Sequence, residues 1–159
     1  MLGHTHVVGA AVCGLWLASI QGLSLPHTAA LVVSAVVTSR LPDIDRLVDP
    51  GPNHRSLTHS AALAAGLLAG VSYYLLPRSL APSVTEPVVW GLLVGYLSHL
   101  LLDSLTPRRI PLLLWGSPRV GLGLIQTGSL AERLFAGGVM VSGVVLFVYR
   151  WGGELWRYL

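Results

Sequence analysis

Five apolar runs, Val7–Leu25, Ala29–Leu41, Thr58–Leu76, Pro87–Leu105 and Leu134–Trp151, occupy most of this chain. A helix needs about 20 apolar residues to cross a hydrocarbon core about 30 Å thick. Four runs approach that length, and the second is short. Lipid cannot hydrogen-bond a backbone, so a segment that crosses it must satisfy its own N–H and C=O groups, which favours helices here. Composition agrees: 53% of the residues are hydrophobic and 11% are charged, against about 25% charged in a soluble domain. These features predict an all-α, multi-pass transmembrane helical bundle of about five helices. With no internal repeat and no low-complexity tail, residues 1–159 form a single integral membrane domain. No Lys or Arg precedes Val7 and no Ala-x-Ala site follows the first run, so that run is expected to stay in the protein rather than be cleaved as a signal peptide.

The cations are all arginine, and the net charge of +3 is small and dispersed, which argues against a nucleic-acid surface. Five spans put the N-terminus, the loop after the second helix and the loop after the fourth on one side. Arg40, Arg46, Arg55, Arg108, Arg109, Arg119 and Arg133 fall there, whereas Arg78, Arg150 and Arg157 fall opposite. The positive-inside rule makes the arginine-rich side cytoplasmic. Cys13 is the single cysteine, so intrachain disulfides and cysteine-based zinc sites are excluded.

The costly residues sort by side as well. His4, His6, Asp43, Asp45, His54, His59, His99, Asp103 and Glu132 all fall at the arginine-rich face. Acidic residues follow no strong sidedness rule, so this sorting points to one polar site assembled from helix ends. The stretch Leu41–Ser60 is its densest part, with three aspartates, two histidines and two arginines. Pro42 is expected to end the second helix at Leu41 and leave the chain extended, which would aim Asp43 and Asp45 to one face. His99 and Asp103 are spaced i, i+4 on one helix face, with Tyr96 a turn before. His54 and His59 converge only if Ser56 or Thr58 caps the third helix and His54 stays in the loop.

Histidines and carboxylates gathered without cysteine suit a divalent metal, zinc foremost, with manganese, iron and nickel also suited. An ion with an open coordination position activates water near neutral pH. Arg55 and Arg108 are placed to stabilise an anionic, phosphate-containing substrate. Blander roles stand beside these: His99 with Asp103 as a buried polar tie between helices, Asp43 and Asp45 as turn residues, Asp49 as a turn residue, His27 as an interfacial residue, and Glu132 as half of a capping box with Ser129.

The same residues carry a resemblance. Thr5-His6, Pro-Asp-Ile-Asp (Pro42 to Asp45), His-Arg-x-x-Thr-His-Ser (His54 to Ser60), His-Leu-Leu-Leu-Asp-x-x-Thr-Pro (His99 to Pro107) and Gly-Ser-x-x-Glu (Gly128 to Glu132) occur in order along nearly the whole chain. This pattern resembles the bacterial and archaeal membrane-bound metal-dependent hydrolases, the inner-membrane group linked by name to the LexA-controlled damage response. The resemblance implies a multi-pass inner-membrane hydrolase whose metal ligands come from His6, Asp43, Asp45, His54, His59, His99 and Asp103, with Glu132 also in the site. A more distant likeness, carried by the His-x-x-x-Asp helix, is to the all-helical zinc-dependent phospholipase C and nuclease group, and implies a phosphoesterase.

Together these readings lead to a membrane-embedded metal-dependent hydrolase that acts on a phosphoester, with a lipid phosphate among the candidate substrates, by metal-activated water at the cytoplasmic face. Glu132, Arg55 and Arg108 would assist catalysis. The competing reading is a non-enzymatic membrane protein that uses the His/Asp cluster for metal sensing, transport or bracing. Small-residue pairs, Gly66 with Gly70 and Gly91 with Gly95, would permit close helix packing within one chain or in a homo-oligomer.

Overall fold

A computed structural model of the chain describes residues 1–47, 58–71, 73, 82–111 and 119–156. In order, these form α1 (Gly3–Ile20), α2 (Leu25–Thr38), a 3₁₀ helix (Leu41–Leu47), α3 (Ala61–Gly70), α4 (Pro82–Ser104), a minimal hairpin of β1 (Ile110–Pro111) and β2 (Arg119–Val120), and α5 (Leu130–Leu155). The chain is an all-α membrane bundle, as its apolar runs require. Among the described residues, three helices are long and apolar enough to cross a membrane: α1, α4 from Ser83 and α5. α2 has 14 residues, about 21 Å of rise, and so falls short of a full span, as the length of its run anticipates.

Local chemistry sets the turns. α1 ends in a Schellman motif: Gly22 adopts φ 66°, its N–H bonds Ser19 O, and Leu23 N–H bonds Ala18 O. Pro26 in the first turn of α2 then starts the next helix without wasting an N–H. Trp151 of α5 is fully buried beneath this hairpin and donates its indole N–H to Leu23 O at 3.0 Å. It packs with Ala18 and Leu31 at the end of the bundle away from the cluster of polar residues.

α2 and α4 approach most closely. A Cβ on Gly91 would overlap Ser34 Oγ and the Leu31 carbonyl, and one on Gly95 would overlap the Ala35 backbone. Gly91 and Gly95 therefore serve contact within the chain, while Gly66 and Gly70 meet nothing within 4 Å among the described residues. Ala64 of α3 packs against Tyr96 and Leu100 of α4, with Ile110 of the hairpin closing the group. On α5 the large apolar side chains Leu134, Val141, Val144, Val145 and Val148 are exposed, as expected for a helix whose solvent is lipid.

Several sequence expectations need correction. α1 begins at Gly3 rather than Val7 and stops at Ile20, because Gly22 and Leu23 form its C-terminal turn and Leu25 already opens α2. α2 ends at Thr38, before Pro42 is reached. The chain beyond Leu41 is not extended but 3₁₀ helical; Pro42 sits in the first turn of that helix, where its fixed φ is tolerated. α4 begins at Pro82 and runs through Pro87, and α5 reaches from Leu130 to Leu155. Of the apolar patch Ile110–Trp115, Ile110 and Pro111 pair with Val120 and Arg119, and the remainder lies outside the described residues.

Candidate metal centre

Three helix ends and one 3₁₀ turn meet at one end of the bundle. α1 contributes His6 from its first turns, the 3₁₀ helix contributes Asp43, the turn before α3 contributes His59, and α4 contributes His99 and Asp103 from its last turns. Ser60, not Thr58, caps α3: its Oγ accepts from Leu63 N–H at 3.1 Å. Ser56 lies outside the described residues. This cap leaves His59 just outside the helix, free to turn inward. Tyr96 of α4 fixes the same turn by donating its hydroxyl to the Thr58 carbonyl.

His6, His59, His99 and Asp103 are all buried, and the Asp43 side chain is 19% exposed. His99 Nδ1 lies 2.7 Å from the carbonyl oxygen of Ser39, the residue that ends α2 and whose carbonyl has no partner within that helix. A carbonyl only accepts, so Nδ1 carries a proton and Nε2 is the nitrogen left to face the site. That nitrogen has no hydrogen bond; it faces Asp103 Oδ2 at 3.6 Å and Asp43 Oδ1 at 3.9 Å. His59 Nε2 stands 3.6 Å from the same two oxygens. His6 stacks on His99, with ring centroids 3.7 Å apart, and its Nε2 lies 3.3 Å from Asp103 Oδ1. That oxygen also pairs with the α-amino group of Met1 at 2.5 Å.

Buried imidazole nitrogens set against carboxylate oxygens call for a proton or a metal ion between them, and leaving such a polar group unsatisfied costs about 1–3 kcal/mol. Ligand atoms of His59, His99 and Asp103 lie within 4.8 Å of one another, as do those of His6, Asp43 and His99. Ligands at about 2.0–2.2 Å around a tetrahedral zinc-sized ion stand about 3.3–3.6 Å apart. The four distances from His59 and His99 to Asp43 and Asp103 run from 3.6 to 3.9 Å, close to that spacing. The Nδ1–H to carbonyl bond of His99 is the outer contact that orients a metal-binding imidazole. The residues fit a divalent metal.

The remaining expected site residues divide. Glu132 is fully buried, and its carboxylate accepts from Leu2 N–H (2.6 Å), Thr5 Oγ1 (2.8 Å) and Gly128 N–H (2.6 Å), while its own N–H is capped by Ser129 Oγ. It ties the start of α1 to the start of α5. Arg108 is exposed beyond the end of α4. His54, Arg55 and the side chain of Asp45 lie outside the described residues, as does Asp49. His4 is exposed, and His27 pairs with Ser24 at 2.7 Å on the opposite side of the bundle. Sequence reasoning missed the Ser39 carbonyl and the exposed Arg40, which lines the mouth of the site with Gly3, His6 and Asp43 around a cavity of about 510 Å³. The free carbonyls at the end of α2 were the only signal for Ser39.

No curated protein and no solved structure matches this chain. One family model does, that of the YdjM inner membrane protein, and it covers residues 1–156. Its extent agrees with an apolar bundle that contains three candidate spans, and the chain therefore belongs to the YdjM inner membrane protein family.

Proposed function

We propose that this chain is a metal-dependent hydrolase of the inner membrane that cleaves a phosphoester at the cytoplasmic face. The observation that carries the reading is the buried Nε2 of His99, which faces two carboxylates and has no hydrogen bond among the described residues. His59, His99, Asp43 and Asp103 would hold a divalent ion, zinc foremost. When bound, such an ion supplies Lewis acidity and brings water toward a neutral pKa.

The chain's own groups do the rest. Ser39 holds the His99 ring in the tautomer that can donate its Nε2 lone pair. His6 stacks on His99 and holds that ring's position at the mouth of the site. Arg40 at the mouth and Arg108 beyond the end of α4 would attract and orient a phosphate anion, the role the sequence suggests for Arg55 as well. The arginine-rich side of the sequence supports a cytoplasmic orientation.

Inverted and right-side-out membrane vesicles loaded with zinc or manganese test both parts of the proposal with a water-soluble phosphodiester. Hydrolysis should occur in inverted vesicles, where the cytoplasmic face is accessible, and vanish in His59→Ala. Equal rates in wild type and His59→Ala would defeat the enzymatic reading, and hydrolysis confined to right-side-out vesicles would reverse the orientation.

A further inference from the structure

A wholly apolar groove of about 310 Å³ runs between α1 and α5, with Val7, Ala11 and Leu15 on one wall and Met140, Val144 and Phe147 on the other. Gly143 makes this approach possible, since a Cβ there would lie 2.5 Å from Val12 Cγ2. Both walls belong to helices long and apolar enough to cross a membrane, so the medium beside the groove is hydrocarbon. Gly3, Val7 and Ala11 follow one another at i, i+4 and i+8 along one side of α1. Gly3 lines the polar mouth that holds His6, Arg40 and Asp43, whereas Val7 and Ala11 line the groove. Gly3 of the mouth and Val7 of the groove are thus neighbours one turn apart on α1, along a ridge that turns about 40° with each further step. From Gly3 to Leu15 the helix rises about 18 Å, close to the depth of one leaflet, half of a hydrocarbon core about 30 Å thick.

We infer that the groove seats one acyl chain of a phospholipid whose phosphate lies in the mouth beside Arg40, so that the substrate of the metal centre is a lipid phosphate. The inference rests on the phosphoesterase reading for its chemistry, but the seat itself is a binding property that can be read without catalysis. An apolar chain explains the lack of any polar side chain among the groove's lining residues. An anionic head group matches the exposed guanidinium of Arg40, the charged donor at the mouth best able to fork onto phosphate. The arrangement places the ester at the boundary between the hydrocarbon and the buried carboxylates, and the lipid need not leave the leaflet to reach them.

The test uses the full chain in phosphatidylcholine nanodiscs doped with phosphatidic acid that carries a diazirine in its acyl chain. Photoadducts mapped by mass spectrometry should concentrate on Val7, Ala11, Met140 and Val144 relative to Val141 and Val145 on the outer side of α5. Ala11→Trp should remove that concentration and Val141→Trp should not. A diazirine on the phosphatidylcholine chain should give a weaker enrichment, because its phosphate is shielded by a cationic group. Adducts spread evenly around the lipid-facing surface, or crosslinks between two copies along α1 and α5, would overturn the inference. Hydrolysis is measured in parallel: the ratio of long-chain phosphatidic acid turnover to soluble phosphodiester turnover should fall at least about tenfold in Ala11→Trp, the equivalent of losing about two buried methylenes. An unchanged ratio overturns the acyl seat while leaving the phosphoesterase standing. Adducts concentrated in the groove with no hydrolysis of either substrate would uphold the seat and remove the phosphoesterase.

Discussion

His99 makes the strictest demand at the residue scale. Its outer nitrogen is spoken for by Ser39 and its inner nitrogen faces carboxylates from two different elements, the orientation that a metal-binding imidazole requires. Glu132 shows the contrast. It is equally buried, yet its carboxylate collects three donors from the starts of α1 and α5, the pattern of a brace. Glu132→Gln would oppose an amide N–H₂ to one of those donors and should cost about 1.5–3 kcal/mol of stability, the worth of a hydrogen bond to a charged group. Thermal unfolding in detergent should show a lower midpoint while bound metal stays at the wild-type level. Metal loss at an unchanged midpoint would instead place Glu132 among the ligands. The i, i+4 spacing of His99 and Asp103 was legible because a helix fixes which side chains share a face. The Ser39 carbonyl was not, because a backbone acceptor at a helix end leaves no trace in residue type, and neither was the role of Tyr96 in fixing the Thr58 turn.

At the scale of elements, the site depends on how tightly α2 lies on α4, since α2 carries Ser39 and leads into the 3₁₀ helix that carries Asp43. Gly95→Ala would drive a Cβ into the Ala35 backbone, and overpacking of this kind costs about 1–3 kcal/mol. Gly66→Ala meets nothing within 4 Å and should be neutral or slightly stabilising. Unfolding of the two variants in mixed micelles compares them directly; equal stabilities would mean that the two helices can separate without penalty. The sequence held both glycine pairs but not the choice between them, because spacing alone does not say which neighbour a stripe of small residues meets. Helix existence was legible from the apolar runs. Helix ends were less so: the polar residues Thr5 and His6 belong to α1 because partners inside the bundle satisfy or enclose them, and a hydropathy pattern reads such residues as loop.

Across the whole molecule, one asymmetry organises the rest. Apolar packing around Trp151 closes one end of the bundle, and His6, Asp43, His59, His99 and Asp103 gather at the other. Burying histidines and carboxylates together is costly, and a divalent cation held among them would offset part of that cost. The sorting of ionisable residues to one face was visible in the sequence because membrane spans turn position along the chain into depth. Metal content by mass spectrometry on detergent-purified protein, prepared without chelator, tests this directly in wild type beside His59→Ala and Asp103→Ala. Wild type should retain about one equivalent of a divalent transition metal per chain and both variants should lose it, since a site of this kind needs its full ligand set. Wild type that stays metal-free after reconstitution, or variants that bind as fully as wild type, would contradict the metal centre and leave the cluster as a polar brace between helix ends.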